Sequence, residues 1–406
     1  MTERPRLRPL DFQPVFHQGQ QMWLLRDPLE LTDRQLMVPA ALAQMIMLID
    51  GTRTPDEIER ALSVALGQPL PAGFIDDTLA MLDEACLLQN ARAAAAERRL
   101  LAEYRAQPYR SAALAGLSYP ADPVDLAAAF SGFGWGSAPP ANGTPLRAVV
   151  SPHIDYGRGG KVYAEVWSAA APAVLEAEVV IMLGTDHNGG PGTVTLTRQP
   201  YATPYGVLPI DTDLVDRLAG AIGPEAAYAE ELHHRREHSV ELSAVWLHHV
   251  FHEAQRAPCP MVPVLVGPFH HFVTNGSHPA HDPRLNRFLE ALGQATNGRR
   301  TLVVASVDLA HVGPAFGDAF TMDRPRREAL RAWDAALMDT ILAGDADAFF
   351  RHVASVQDRN RICGFSALYL MLRHLGQASG GRIDYQHCPA DSQDTSLVSI
   401  CGLLLE

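Results

Sequence analysis

Three apolar runs in this chain each lead into a histidine. Ala148-Val149-Val150 continues through Ser151-Pro152 to His153. Val179-Val180-Ile181-Met182-Leu183 continues through Gly184-Thr185-Asp186 to His187. Leu302-Val303-Val304-Ala305 continues through Ser306-Val307-Asp308-Leu309-Ala310 to His311. Neutral imidazole is the commonest protein ligand for zinc, iron and copper. A single histidine past an apolar run is ordinary, whereas three in one register give the geometry a metal site needs. Cys363, in Arg361-Ile362-Cys363-Gly364-Phe365-Ser366, stands just before a helical stretch. A helix N-terminus favours thiolate over thiol, so Cys363 is a candidate third ligand beside His153 and His187. Its softness tilts the choice towards Fe(II), Cu(I) or Zn and away from Mg or Ca.

Other polar residues are candidates for proton transfer or substrate contact. Asp308 and His311 lie three apart and converge if the chain turns helically there, as acid and base or as groups that orient ligands. His238 and Glu241 share a face at the start of a helix, in Glu237-His238-Ser239-Val240-Glu241, and read as a substrate-side cluster. The doublets His233-His234, His248-His249 and His270-His271 do not follow strands and read as surface residues. Asp391 and Asp394 read as a turn near the site.

The elements that must position these groups follow from the same pattern. A short β-branched run bounded by turn residues reads as a buried strand, and strands separated by helices read as a parallel sheet. In such sheets ligands collect outside the carboxyl ends of the strands. From Ala148 onward, helices are expected over 160–175, 214–222, 239–256, 283–295, 326–343 and 364–375. Residues 261–266 read as a strand placed at an edge by Pro263, and 396–404 as a closing strand.

Composition bounds the function. A chain of 406 residues suggests two or three domains. A net charge of −13 argues against a general nucleic-acid or anionic-membrane binder. There is no run long enough to span a membrane, and the start lacks the apolar stretch of a signal peptide, so the cytoplasm is the expected location. The five cysteines contain no CxxC pair, which excludes a zinc ribbon or a disulfide framework. Of 17 histidines only His17 precedes residue 150, so the front of the chain does something different from the rest.

That front segment, residues 1–90, reads as a small unit of three short helices with flanking strands. The expected parts are a hairpin over 20–38 with an Asp27-Pro28 turn, a helix over 39–49, a second opened by Thr54-Pro55-Asp56-Glu57, and a third over 72–86. A helical linker follows over 91–109, and 131–146 reads as a surface loop. The stretch Asp50-Gly51-Thr52-Arg53-Thr54-Pro55-Asp56-Glu57-Ile58 and the closing Leu82 to Leu88 resemble PqqD-like winged-helix domains. That resemblance implies peptide recognition. DNA binding is disfavoured, because residues 1–90 hold seven Arg and no Lys against thirteen Asp plus Glu.

From Arg110 to Glu406 six ordered motifs resemble the Memo family, which includes the AmmeMemoRadiSam system protein B. They are Pro152-His153 with Tyr156, Gly159 and Gly160; Leu183-Gly184-Thr185-Asp186-His187; Glu237 to Glu241; Val262 to Gly267; Ser306 to His311; and Ile362-Cys363-Gly364. The resemblance implies an α/β fold similar to class III extradiol dioxygenases, with a mixed sheet flanked by helices over residues 110–406. It implies iron or copper held by His153, His187 and Cys363, with Asp308 and His311 lining the same pocket, and a radical-SAM system as partner. Two departures stand out: Ile154-Asp155 and Asn188 replace the usual residues, and Asp155 and Asp186 add a carboxylate beside each histidine.

Two functions follow as expectations. In the first, His153, His187 and Cys363 hold Fe(II), with Cu(I) or Zn as alternatives, in a non-heme, dioxygenase-like oxidoreductase. There His311 is the acid/base, Asp308 orients it, His238 stands on the substrate side, and the front domain presents a peptide. In the second, the chain is a non-catalytic peptide- or protein-binding adaptor with a vestigial metal site.

Overall fold

The computed structural model describes residues 4–32, 36–138 and 145–406. The chain divides into two compact units, Met1–Gln107 and Pro108–Glu406.

The first unit holds a three-stranded antiparallel sheet of β1 (Asp11–His17), β2 (Gln20–Arg26) and β3 (Leu36–Pro39), with β2 central. The tight turn joins β1 to β2 at Gln18-Gly19, where both residues have positive φ. The Asp27-Pro28 segment instead opens the longer connection from β2 to β3. There the Asp27 carboxylate accepts from the Leu29 and Leu31 N–H groups and pairs with Arg8 at 2.9 Å. Four helices follow, Ala40–Met47, Pro55–Leu66, Phe74–Glu84 and Ala91–Ala106. The second starts on a capping box: Thr54 accepts from the Glu57 N–H, and the Glu57 side chain accepts from the Thr54 N–H. The helix expected as a linker forms inside this unit. Of the loop expected over 131–146, residues 139–144 lie outside the described ones.

The second unit is built on a mixed sheet flanked by helices. Its strands are β4 (Ala148–Ser151), β5 (Val179–Thr185), β6 (Val194–Leu196), β7 (Tyr201–Thr203), β8 (Gly206–Leu208), β9 (Met261–Val266), β10 (Thr301–Ser306), β11 (His311–Val312), β12 (Gly380–Pro389) and β13 (Leu397–Leu405). The order is β11-β13-β4-β10-β5-β9-β6, with β12 on β13 and with β7 and β8 forming a separate pair. The strands β4, β10, β5 and β9 run parallel, while β13 and β6 flank them antiparallel.

Both faces of the parallel strands are covered. Ile181, Leu183, Val303 and Ala305 enter one apolar cluster; Val180, Met182, Leu302 and Val304 enter the other. Alternate side chains therefore meet different helix layers, which explains why these strands read as unbroken apolar runs.

The edge placement expected for 261–266 is wrong: β9 lies between β5 and β6. Proline is tolerated there because β6 pairs only with Val264 to Val266. Met261 N–H bonds to Pro209 O and Gly267 N–H to Thr193 O on the β6 side. Pro263 faces that same side, where the ladder has already ended, so its missing N–H leaves no acceptor stranded.

Candidate metal centre

The three histidine-bearing strands are neighbours, β4-β10-β5, and they end level: Ser306 is opposite Ser151 on one side and Gly184 on the other. Their carboxyl ends deliver His153, His187 and the Asp308 to His311 segment to one edge of the sheet. Two other segments complete the site, the start of the helix His238–Glu253 and the turn before the helix Phe365–Leu375. Each approaches over a glycine. A Cβ at Gly184 would lie 2.7 Å from both Ser239 Oγ and Val240 Cγ2, and one at Gly364 would lie 2.5 Å from Val307 Cβ. Without side chains there, Glu237-His238 can sit against His187 and Cys363 against Asp308.

His153 is buried, and its Nδ1 is 2.9 Å from the Ser306 carbonyl, so Nε2 faces the site. Cys363 Sγ lies 3.1 Å from that Nε2 and shares a hydrogen bond with the His187 ring. Burial pushes the Cys363 thiol up, but the charge of His153 and hydrogen bonds from His153 and His187 outweigh it and bring it down to about 7. The His187 ring directs Nδ1 to the Glu237 carboxylate at 3.0 and 3.1 Å. Burial lowers the affinity of His187 for a proton, but the Glu237 charge and hydrogen bonds dominate and raise it well above the usual histidine value. His238 places its own Nδ1 3.1 Å from the same carboxylate. The donor atoms of His153, His187 and His238 all lie within 4.8 Å of one another.

Asp308 is buried and takes the ligand-orienting one of its two expected roles, acting on His153 and not on His311. Its Oδ1 accepts from the backbone N–H groups of His153 and Ile154 at 2.9 and 3.2 Å, which fixes the turn carrying His153. The chain does not turn helically after Asp308 but runs into β11. The His311 ring is set by the Leu309 carbonyl, 3.1 Å from Nδ1, and not by Asp308. The two are coupled through charge alone: burial lowers His311, and Asp308 partly offsets this. Burial likewise raises the Asp308 carboxyl.

Several other expectations change. Glu241 does not join His238 on the substrate side. It is buried, paired with Arg110, and accepts from Tyr119 OH and from the N–H groups of Ala113 and Leu114. The two side chains part at the helix start, His238 towards the Glu237 carboxylate and Glu241 towards Arg110. Asp155 caps the helix Tyr156–Glu176 and binds Arg158, so it does not tune His153. Asp186 turns to His233, with Nδ1 2.9 Å from Oδ2, and not to His187. His234, His248 and His249 are buried, not on the surface. His234 bonds Tyr201 OH, and His248 and His249 lie on a helix enclosed along its length. His270 is exposed as expected. Asp391 makes the turn, accepting from Gln393 and Thr395, while Asp394 pairs with Arg327.

Sequence reasoning named Glu237 only as part of a motif, yet it ties two imidazoles together. A carboxylate immediately before a histidine at a helix start was the available signal. A second donor cluster, Asp186, Glu230 and His233, lies alongside. A cavity of about 650 Å³ opens at the opposite end of the sheet. Its Arg147 and Arg300 are bound to backbone carbonyls of Leu375, Gln377 and Glu176.

The Memo-like protein family model matches residues 110–404, nearly the whole second unit. The chain belongs to the Memo-like family. Among its relatives, a MEMO1 family protein of Aquifex aeolicus is 24% identical over 99% of both chains. One of Thermus thermophilus is 28% identical over 82% of this chain and 95% of its own, and one of Methanopyrus kandleri is 31% identical over 57% and 79%. The Aquifex match extends over the front unit, so that segment is shared with at least one other Memo-family chain. No helix among the described residues is long and apolar enough to cross a membrane.

Proposed function

We propose that this Memo-family chain is a mononuclear metalloprotein with redox, dioxygenase-like activity, in which His153, His187 and Cys363 hold Fe(II), with Cu(I) or Zn as alternatives. One observation carries the reading: the ring nitrogens that face the site do so because their Nδ1 partners, Ser306 O and Glu237, are supplied by the protein, and a thiol of lowered pKa lies beside them. Such hydrogen-bonded support is how protein ligands are preorganised for a metal. The soft, mixed nitrogen and sulfur donor set suits iron, copper or zinc and does not suit magnesium or calcium. When bound, such an ion supplies Lewis acidity and, for iron or copper, electron transfer.

The remaining residues move protons and hold geometry. Burial keeps His311 neutral near pH 7, with Nδ1 engaged by Leu309 O and Nε2 left to accept a substrate proton. The buried Asp308 stabilises the imidazolium so formed, and its grip on the His153 backbone keeps the ligand turn fixed. The test is anaerobic metal loading followed by elemental analysis of wild type, His153→Ala and Cys363→Ala. Stoichiometric metal in wild type and its loss in both variants supports the reading; equal content in all three overturns it.

A second reading makes the chain an adaptor that binds a peptide by strand addition to the front sheet. It is favoured by that sheet's form, since among the described residues β1 and β3 each pair on one side only, with β2. The two readings combine if the front unit delivers a peptide for oxidation, with a radical-SAM system as a further partner. Peptide binding that survives metal removal, without turnover of any substrate, would favour the adaptor.

A further inference from the structure

We propose that His238 is a third imidazole ligand of this centre, so that the resting site holds three nitrogens and one sulfur. The inference rests on the metalloprotein reading and extends it. Glu237 accepts from Nδ1 of both His187 and His238, at 3.0 and 3.1 Å. With Nδ1 engaged, the free nitrogen of each ring is Nε2. The two rings stack at 4.6 Å and 18°, side by side over the same carboxylate. His153 meets them edge-on, at 5.0 Å and 67° from His187 and at 5.2 Å and 72° from His238. Its own Nδ1 is engaged by Ser306 O. One ring nitrogen from each of the three imidazoles thus lies within 4.8 Å of the other two.

A residue that contacts substrate from across the pocket would face the metal ligands. His238 instead lies alongside them and shares the carboxylate that orients His187. Four protein donors fill a tetrahedral set. His238 is the most exposed of the three imidazoles, with its side chain 40% accessible against 34% for His187 and 2% for His153.

Anaerobic cobalt(II) titration of the full-length chain tests this, because cobalt reports coordination number and thiolate bonding by absorption. Wild type is expected to show the intense visible bands of four-coordinate cobalt together with a thiolate charge-transfer band. His238→Ala should bind cobalt at least about tenfold more weakly. It should lose intensity in the visible bands as water completes the shell, and it should keep the charge-transfer band from Cys363. His238→Cys, which returns a donor to the same place, should recover affinity and strengthen the charge-transfer band. Spectra and affinity unchanged in His238→Ala, with cobalt lost in Cys363→Ala, overturn this inference alone. A wild-type chain that binds no cobalt overturns the metalloprotein reading and this inference with it.

Discussion

Glu237 shows how much one buried side chain can decide. It caps its helix through the Ser239 N–H, takes the His187 backbone N–H, and orients the rings of His187 and His238. The Glu237→Gln variant keeps the shape but removes the charge, and its amide has one acceptor atom for two imidazoles. We expect metal affinity to fall about 10- to 100-fold, the range for lost outer hydrogen bonds to ligands, measured by chelator competition. An unchanged affinity would refute the orienting role. His311 is the contrasting case. His311→Ala should leave metal content at the wild-type level while lowering turnover by about 10²- to 10⁴-fold once a substrate is in hand, the usual contribution of a general acid or base. Loss of metal in that variant would move His311 into the ligand set.

At the scale of elements, the site depends on how closely two helix starts approach the sheet. Gly184 admits the Ser239 and Val240 turn, and Gly364 admits Cys363 against the Val307 and Asp308 backbone. A methyl group at Gly364 meets Val307 and the Asp308 carbonyl oxygen at 2.5 and 2.9 Å, and neither can swing away as a flexible chain end would. Gly364→Ala should therefore displace Cys363 and lose the thiolate charge-transfer band in cobalt titration, even where the fold survives by circular dichroism. A retained band would show that the turn can shift. The buried Arg110 and Glu241 pair ties residues 110–114 to the same helix that carries His238. Removing one partner leaves the other charge uncompensated, so Arg110→Ala should cost about 3–5 kcal/mol in denaturant unfolding. A loss below about 1 kcal/mol would place this contact among ordinary surface pairs.

Over the whole molecule, buried imidazoles set the response to acid. Burial holds His234 at about 3 and His248, His249 and His387 at about 4, all below the ordinary 6.5. The unfolded chain takes up these protons as pH falls through 6.5, and the folded chain does not until pH is near 4. Their stabilising effect is therefore complete above pH 6.5 and is lost on the way down. Asp334, raised by burial to about 6, works in the opposite direction, as do the raised carboxyls of Asp186, Asp308 and Asp358 and the raised imidazoles of His187 and His233. Burial also lowers His153, His278, His311 and His374, so eight lowered imidazoles stand against six opposing groups. Each net proton lowers stability by about 1.4 kcal/mol per pH unit. Melting temperature should fall between pH 7 and pH 5, and a rise would contradict the assignment.

Much of this was legible in the chain itself. The apolar runs at 148–150, 179–183 and 302–305 specify buried parallel strands, because a strand covered on both faces has no polar side to show. The histidine after each run is then carried to the same end of the sheet, whatever the rest of the fold does. Family membership was likewise readable from six short motifs. Tertiary structure decided what spacing cannot encode. It set β10 between β4 and β5, turned Glu241 to Arg110 and Glu237 to two imidazoles, and aimed Asp308 at the His153 backbone and not at His311. Periodicity tells which residues leave water. The partner each buried polar group finds depends on distant segments, 155 residues apart for His153 and Asp308 and 210 for His153 and Cys363, and only the packed molecule brings those together.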